Sequence, residues 1–116
     1  MGDNDDTFTT RFANSGGLTM YAVVNHLHLT KSTDEIGLAM QEEGVPLLAS
    51  YTGFRDFYFV KVDDSHGIVI ILWDTPTNAM NGSQKFGPTW FAANVAPYLA
   101  SEQERSTGPV IVEWTG

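Results

Sequence analysis

Asparagine, histidine and tryptophan side chains stand in apolar segments of the chain, where they could act on a small molecule. The segment YAVVNHLHLTK is rich in β-forming residues and predicts a strand over residues 20–29. Side chains alternate along a strand, so Asn25 shares one face with apolar residues, while His26 and His28 share the other. An amide among apolar side chains can orient a phenol or carbonyl oxygen. The alternative is that Asn25 satisfies a neighbouring backbone group.

The two strand histidines have a spacing that can bind zinc. Zinc needs three or four ligands, and the one further histidine, His66, lies in a predicted turn. The favoured interpretation is that His26 and His28 pack or hydrogen-bond where two sheets meet. We therefore expect no metal, and keep a metal-dependent enzyme as the weakest alternative.

Trp73 ends an apolar run, residues 68–73, just before a turn signal. Its indole N–H can donate one hydrogen bond while its ring stacks on a planar ligand. The alternative is that Trp73 closes the core beneath a helix.

Further aromatic residues could line a pocket beneath the helices, although an aromatic stripe is also what a core requires. The candidates are Tyr51, Tyr58, Phe86, Trp90 and Phe91. Arg55 could meet a substrate anion, or else form a surface ion pair of small energetic value. The sequence has no Gly-rich phosphate loop and no credible Ser-His-Asp arrangement.

Composition excludes several classes of function. The chain of 116 residues carries 14 acidic against 6 basic residues, a net charge of −8. That balance argues against binding to nucleic acid or to an anionic membrane surface. The chain has no cysteine, which removes disulfides, thiolate metal sites and cysteine nucleophiles. No apolar run reaches the roughly 20 residues of a membrane span, and the acidic N-terminus is not a secretory signal, so the expected location is the cytoplasm.

The chain divides into an arm and one domain. Residues 1–17 are acidic and then Ser- and Gly-rich, which predicts a flexible arm. Residues 18–116 have the length of one domain with a single core.

Helix signals follow the first strand. Ser32 and Glu35 have the spacing of a capping box, and apolar residues then recur at helical spacing. Gly44 and Pro46 are expected to bend or interrupt this helix. It should end near Gly53, which can adopt the left-handed conformation.

Two strands and further helices complete the pattern. FRDFYFVKV and residues 68–73 predict a hairpin joined by DDSHG. Thr75 and Pro76 suit the start of a helix over 76–85, and a break at Gly87 and Pro88 should precede another helix over 88–101. The segment GPVIVEW predicts the last strand.

The predicted order is βαββαβ, an α+β ferredoxin-like fold with a four-stranded antiparallel sheet and helices on one face. Residues 68–73 are apolar on both faces. The helices cover one face, so a second copy packing sheet against sheet is expected to cover the other. The sequence thus predicts a homodimer.

These segments together resemble the antibiotic biosynthesis monooxygenase (ABM) domain, a branch of the dimeric α/β barrel superfamily. YAVVNHLHLTK, YTGFRDFYFV and VIILWDTP carry the resemblance, which covers about residues 20–115. Family members include cofactor-free oxygenases of polycyclic phenols, quinol-oxidising enzymes, haem-degrading enzymes and many proteins without known activity. The resemblance implies a substrate pocket between the sheet and the helices, on the Asn25 face.

Two residues match catalytic positions of different branches. Asn25 stands where the haem-degrading branch has an asparagine, and Trp73 stands where the polyketide-oxidising branch has a tryptophan. The haem branch also has a tryptophan at the position of Gly82 and a histidine near Asn94. The polyketide branch has an asparagine where this chain has Val69. Neither set is complete, and a haem-degrading role is not expected.

The resemblance implies a cofactor-independent monooxygenase acting on an aromatic or quinol-type molecule. Asn25 and Trp73 are the candidate catalytic residues. The five aromatic residues above and Arg55 are the candidate substrate-binding residues, and no cofactor is expected. The alternative is a non-catalytic protein of the same fold that binds or senses a small molecule.

Overall fold

The computed structural model describes residues 20–116, and the predicted arm over residues 1–17 lies outside them. The strands are β1 (Tyr21–His28), β2 (Phe54–Asp63), β3 (His66–Trp73) and β4 (Glu104–Pro109). The helices are α1 (Thr33–Ala39), α2 (Val45–Ala49), α3 (Pro76–Phe86) and α4 (Ala92–Asn94). Between them lie π-helical turns at Met40–Gly44 and Gly87–Phe91, and a 3₁₀ turn follows at Ala96–Tyr98.

The four strands form one antiparallel sheet in the order β2-β3-β1-β4. The chain therefore follows the ferredoxin-like βαββαβ pattern, as predicted. Side chains of β3 alternate strictly between buried and half-buried, because one face packs against the helices. Val23, Leu27, Ile71 and Trp73 are buried on that helix-facing side.

The first helical segment is continuous but irregular. The Ser32 side chain accepts a hydrogen bond from the amide of Glu35, which confirms the predicted cap. A π-helical turn that ends at Gly44 interrupts the α-helix, as predicted, and Pro46 lies in the first turn of α2, where a missing N–H is tolerated. The helix ends at Ala49, earlier than predicted, and Gly53 lies in the turn into β2 with a φ of 84°.

The second helical segment begins as predicted, with Thr75 accepting from the Asn78 amide and Pro76 in the first turn. The α-helix ends at Phe86, directly before the predicted break at Gly87 and Pro88, and a π-helical turn then carries the path onward. The predicted helix over 88–101 is too long. Regular helix ends at Asn94, and the chain then turns back toward β1.

The last strand was predicted too late in the chain. Polar residues 104–109 form β4 and pair with β1, while Ile111, Val112 and Trp114 follow it, outside any strand and mostly exposed. An edge strand pairs on one side and has little cover, so it needs no apolar alternation. Pairing with β1 decided which residues became the strand.

The sheet face opposite the helices is apolar and partly open to solvent. Ile68, Ile70 and Leu72 of β3 lie on it half-buried. Their neighbours Tyr58 and Val60 of β2 are 53% and 44% exposed. We call this surface, formed by the outward residues of β1, β2 and β3, the outer face.

Candidate functional site

A cavity of about 450 Å³ lies between the helix-facing side of the sheet and the helices. Its exposed lining residues lie mainly on β4 and α3, so the cavity opens between these elements. The apolar lining residues on the sheet and helices include Val23, Met40, Leu48, Phe57, Val69, Ile71, Ala79, Phe86 and Phe91. An apolar cavity of this size with a few polar groups suits a small organic molecule.

Trp73 forms part of the cavity wall and is fully buried. Phe54 packs against its indole ring edge to face, with ring centres 5.9 Å apart. The indole Nε1 is buried and has no hydrogen-bond partner among the described residues. A buried donor without a partner costs about 1–3 kcal/mol, so a ligand oxygen that accepted from it would recover that cost.

Asn25 lies on β1 between Val69 of β3 and Arg105 of β4, and it also lines the cavity. Its Oδ1 atom is buried and likewise has no hydrogen-bond partner among residues 20–116. The Oδ1 atom therefore does not accept from a neighbouring backbone amide, which argues against the alternative explanation for Asn25. Among the described residues, the cavity wall thus holds one buried unpaired acceptor, on Asn25, and one buried unpaired donor, on Trp73.

Arg105, Tyr21 and Thr107 form a polar edge of the cavity that sequence reasoning missed. The Tyr21 hydroxyl donates to Thr107 Oγ1 at 3.2 Å. Arg105 pairs directly with Asn25 across the strands. Both β4 residues were missed because the last strand was predicted to begin after them.

No protein-family model matches the sequence, and the comparison with curated proteins gives no match either. Solved structures do match. A Nitrosomonas europaea protein of unknown function shares 15% identity, with a TM-score of 0.66 over 87% of this chain and 98% of that one. The cofactor-independent oxygenase SnoaB of Streptomyces nogalater shares 13% identity, with a TM-score of 0.63 over 84% of this chain and 96% of that one.

A monooxygenase from the ActVA-Orf6 gene of Streptomyces coelicolor, solved with nanaomycin D, has a TM-score of 0.68 at 9% identity. The match covers 84% of this chain and 93% of the Streptomyces coelicolor chain. The chain has the ABM fold. At these identities the likeness establishes the fold and leaves the substrate and the reaction open.

Gly82 of α3 explains how the Trp73 ring fits within this ABM fold. A Cβ atom at position 82 would overlap the far edge of the Trp73 ring. The tryptophan that haem-degrading ABM proteins have at this position therefore could not coexist with Trp73 as it is placed here. The sequence contained this signal only as a glycine inside a helix, which normally costs stability.

Of the predicted aromatic residues, Phe86 and Phe91 line the cavity. Trp90 lies outside the lining and stacks on Phe86 with ring centres 5.5 Å apart, and its indole N–H donates to Glu43 at 3.0 Å. Tyr51 is also outside the lining and packs against the hydrophobic core. Trp90 therefore contacts a lining residue without lining the cavity itself, and Tyr51 is part of the packing around the core.

Tyr58 and Arg55 require correction as pocket residues. Tyr58 points to the outer face, opposite the cavity, because it pairs with Ile70 in the sheet. Arg55 is exposed on β2 and is not part of the cavity lining. The prediction for these two residues had not considered which face of β2 each side chain occupies, and the register of β2 also shifts between Phe54 and Asp56.

The cavity offers hydrogen bonding rather than strong acid–base catalysis. Its lining contains no aspartate, glutamate, histidine or lysine among the described residues. The ionisable side chains in the lining are Tyr21 and Arg105. The arrangement can therefore hold and polarise a molecule that carries oxygen atoms. Any proton that this molecule loses must pass to water or to another group of the molecule, because the described lining has no carboxylate or imidazole to accept it.

The histidines meet away from the cavity, on the outer face. His26 Nδ1 lies 3.1 Å from His66 Nε2, and the His28 ring stacks on His66 with centres 4.5 Å apart. Within residues 20–116, no group of three or more His, Asp or Glu side chains has an arrangement that could hold a metal ion. The histidine rings thus pack against and hydrogen-bond with one another, and the second sheet expected against them stays a prediction.

Within the same described residues, no helix is both long enough and apolar enough to cross a bilayer.

Proposed function

We propose that this protein binds a planar aromatic or quinol-type molecule in the cavity and oxidises it with molecular oxygen, without a metal or an organic cofactor. The observation that carries the proposal is the pair of unpaired buried atoms, Asn25 Oδ1 and Trp73 Nε1, in a wall that is mainly apolar. A ligand with one hydroxyl and one carbonyl or oxyanion would satisfy both atoms. The ABM fold, shared with a cofactor-independent oxygenase, supports the same reaction class.

The strand register limits the shape of such a ligand. Asn25 pairs with Val69, four residues before Trp73 on β3. At about 3.3 Å per residue, the backbone positions of Asn25 and Trp73 are separated by roughly 13 Å along the sheet. A flat molecule of two or three fused rings suits this distance better than a single ring. Met40 and Met80, two flexible lining side chains, can adjust around it.

The chemistry requires a substrate that is itself the reductant. In a ketone with an activated CH₂, loss of a proton gives an enolate, which passes one electron to O₂. The two radicals combine into a peroxide, and loss of water leaves a carbonyl: CH₂ + O₂ gives C=O + H₂O. All four electrons come from the substrate. Trp73 Nε1 would donate to the enolate oxygen, and Asn25 Oδ1 would accept from a substrate hydroxyl.

Oxygen uptake with anthrones, naphthols and quinols, in chelator and without added cofactor, tests this function. We expect Trp73→Phe and Asn25→Ala to lower kcat/KM by roughly 100-fold, the usual effect of removing an oxyanion donor. Trp114→Phe and Asn81→Ala are matched controls, because both residues are exposed and lie outside the lining. Without a protein base, the rate should follow the ionisation of the substrate. No uptake by folded protein on any substrate would refute the oxygenase function.

A non-catalytic binding role is the second candidate, and the absence of a carboxylate or imidazole from the described lining favours it. The same compounds should then quench tryptophan fluorescence on binding, and Trp73→Phe should weaken their affinity, with no oxygen consumed. Binding without turnover would thus separate the two candidates.

A homodimer is part of the proposal. The outer face carries apolar side chains of β1, β2 and β3 beside the three histidines, and Ile111, Val112 and Trp114 extend beyond β4 with 61%, 76% and 89% of their surface exposed. Soluble monomers rarely expose apolar patches of this kind. A second copy that packed its own outer face here would bury both surfaces, since two sheets pack about 10 Å apart face to face.

A further inference from the structure

Arg105 places a positive charge at the edge of the apolar cavity. It lies on β4 directly opposite Asn25 and lines the cavity. We propose that the cavity selects aromatic ligands that carry an anionic oxygen, a carboxylate or an ionised phenol, and that Arg105 binds this oxygen. The inference rests on the proposed function only in assuming that the cavity holds an aromatic molecule.

The first support is that the guanidinium group of Arg105 has no hydrogen bond or ion pair among the described residues, whereas three lysine side chains do have partners. Lys61 contacts Asp34 at 3.1 Å and Asp64 at 3.2 Å. Hydrogen bonds to these two carboxylates raise the pKa of Lys61. Lys31 and Lys85 lie over tyrosine rings, at 4.5 and 5.7 Å from the ring centres.

The second support is the position of Glu104, the acidic residue nearest to Arg105 in the sequence. Glu104 is the residue before Arg105, but successive side chains of a strand point to opposite faces. Glu104 pairs with His26 and lies 3.8 Å from His28 on the outer face. The sheet therefore separates Arg105 from this carboxylate. The chain has 14 acidic and 6 basic residues, yet within residues 20–116 no acidic side chain lines the cavity beside Arg105.

The third support is the match between guanidinium chemistry and the neighbouring groups. Arginine presents a planar set of N–H donors that suits a carboxylate or phenolate. Directly opposed side chains on antiparallel strands have Cβ atoms about 5 Å apart. Asn25 and Arg105 can therefore contact the same end of one ligand. The apolar wall beyond them would receive its rings, and low polarity there strengthens the charge contact.

A pair of ligands that differ in charge tests the inference. The probes are 2-naphthoate and its neutral analogue 2-naphthamide, with affinity measured by calorimetry on the full chain at neutral pH. We expect naphthoate to bind about 10-fold more tightly, the order expected for a hydrogen bond to a charged group. The preference should shrink as salt is added, because the arginine is partly exposed to solvent.

Two variants locate the effect. Arg105→Gln should abolish the preference for naphthoate, because it removes the contact between the guanidinium and the carboxylate. The affinity for naphthamide, which has no such contact, should stay within about 2-fold. Arg55→Gln is the matched control, because that arginine lies on β2 outside the lining, and it should retain the preference. Circular dichroism would verify that both variants are folded.

The outcomes separate this inference from the proposed function. Equal affinity for the two probes, or a preference that survives in Arg105→Gln, overturns the role of Arg105 and leaves the oxygenase proposal standing. Selective binding of naphthoate without oxygen uptake on any substrate supports Arg105 and removes the oxygenase. Failure of both probes to bind rejects the cavity as an aromatic site and both proposals with it.

Discussion

At the scale of single residues, the contact between Gly82 and Trp73 decides the shape of the site. The far edge of the indole ring occupies the space where position 82 would carry a side chain. Both residues are buried, so neither can move into solvent to relieve a clash. A helix glycine that costs local stability is thus the condition for a large aromatic ring between α3 and the sheet.

We predict that Gly82→Ala lowers the free energy of unfolding by about 1–3 kcal/mol, the usual cost of overpacking a core. The substitution should also displace the Trp73 ring and change its fluorescence. Urea denaturation with fluorescence detection measures both effects.

Gly87→Ala is the control for that prediction. It also replaces a glycine of the helical path, but its added Cβ would have nothing within 4 Å. It should be neutral or stabilise the protein by up to about 1 kcal/mol. Equal destabilisation by the two substitutions would show that helix conformation, and not the Trp73 contact, explains Gly82.

At the scale of elements, the turn between β2 and β3 ties the sheet to the first helix. Thr33 donates its hydroxyl to the Asp63 carbonyl at 2.9 Å and its amide to the Asp64 carbonyl at 2.8 Å. The Ser65 amide donates to Asp63 Oδ1 at 2.8 Å. This last hydrogen bond lowers the pKa of the Asp63 carboxyl. The turn therefore holds β3, and with it Trp73, in register.

We predict that Asp63→Asn reduces stability at neutral pH and removes part of the acid sensitivity of the fold. A carboxyl with a lowered folded-state pKa stabilises the folded state above its unfolded pKa and loses that contribution as the pH falls through the folded value. The difference in unfolding free energy between wild type and variant should therefore shrink on acidification. Urea titrations at a series of pH values measure it. A difference that stays constant with pH would contradict the prediction.

At the scale of the whole molecule, the two faces of the sheet serve different purposes. The helix-facing side holds the core and the cavity, whereas the outer face holds apolar residues and all three histidines. The proposed dimer gives the outer face a partner. Because residues of β3 alternate between the two faces, one strand contributes to both surfaces.

We predict that Tyr58→Lys converts the protein to a monomer, because it places a charge in the sheet-to-sheet contact. Leu38→Lys is a matched control, since Leu38 is 55% exposed against 53% for Tyr58 but lies on α1 rather than on the outer face. Sedimentation velocity of the three proteins measures the effect. A monomeric wild type, or equal dissociation by both substitutions, would refute the proposed interface.

The candidate site was predictable from sequence where local patterns decide it. Alternation along β1 grouped Asn25 with apolar residues on one face, because a strand has a fixed period of two. The resemblance to the ABM domain, and not the periodicity, implied that this face meets the helices. Ser32 and Thr75 marked helix starts, because their side chains bond to amides only three residues away.

What the sequence by itself determined is the order of the elements and the grouping of β1 side chains into two faces, because both depend on local periodicity and caps. Tertiary structure alone decided the rest. It chose polar residues 104–109 as β4 and so brought Arg105 beside Asn25. It placed Tyr58 on the face opposite the cavity and packed the Trp73 ring against Gly82. These outcomes depend on pairing and packing between distant segments, which no local pattern encodes.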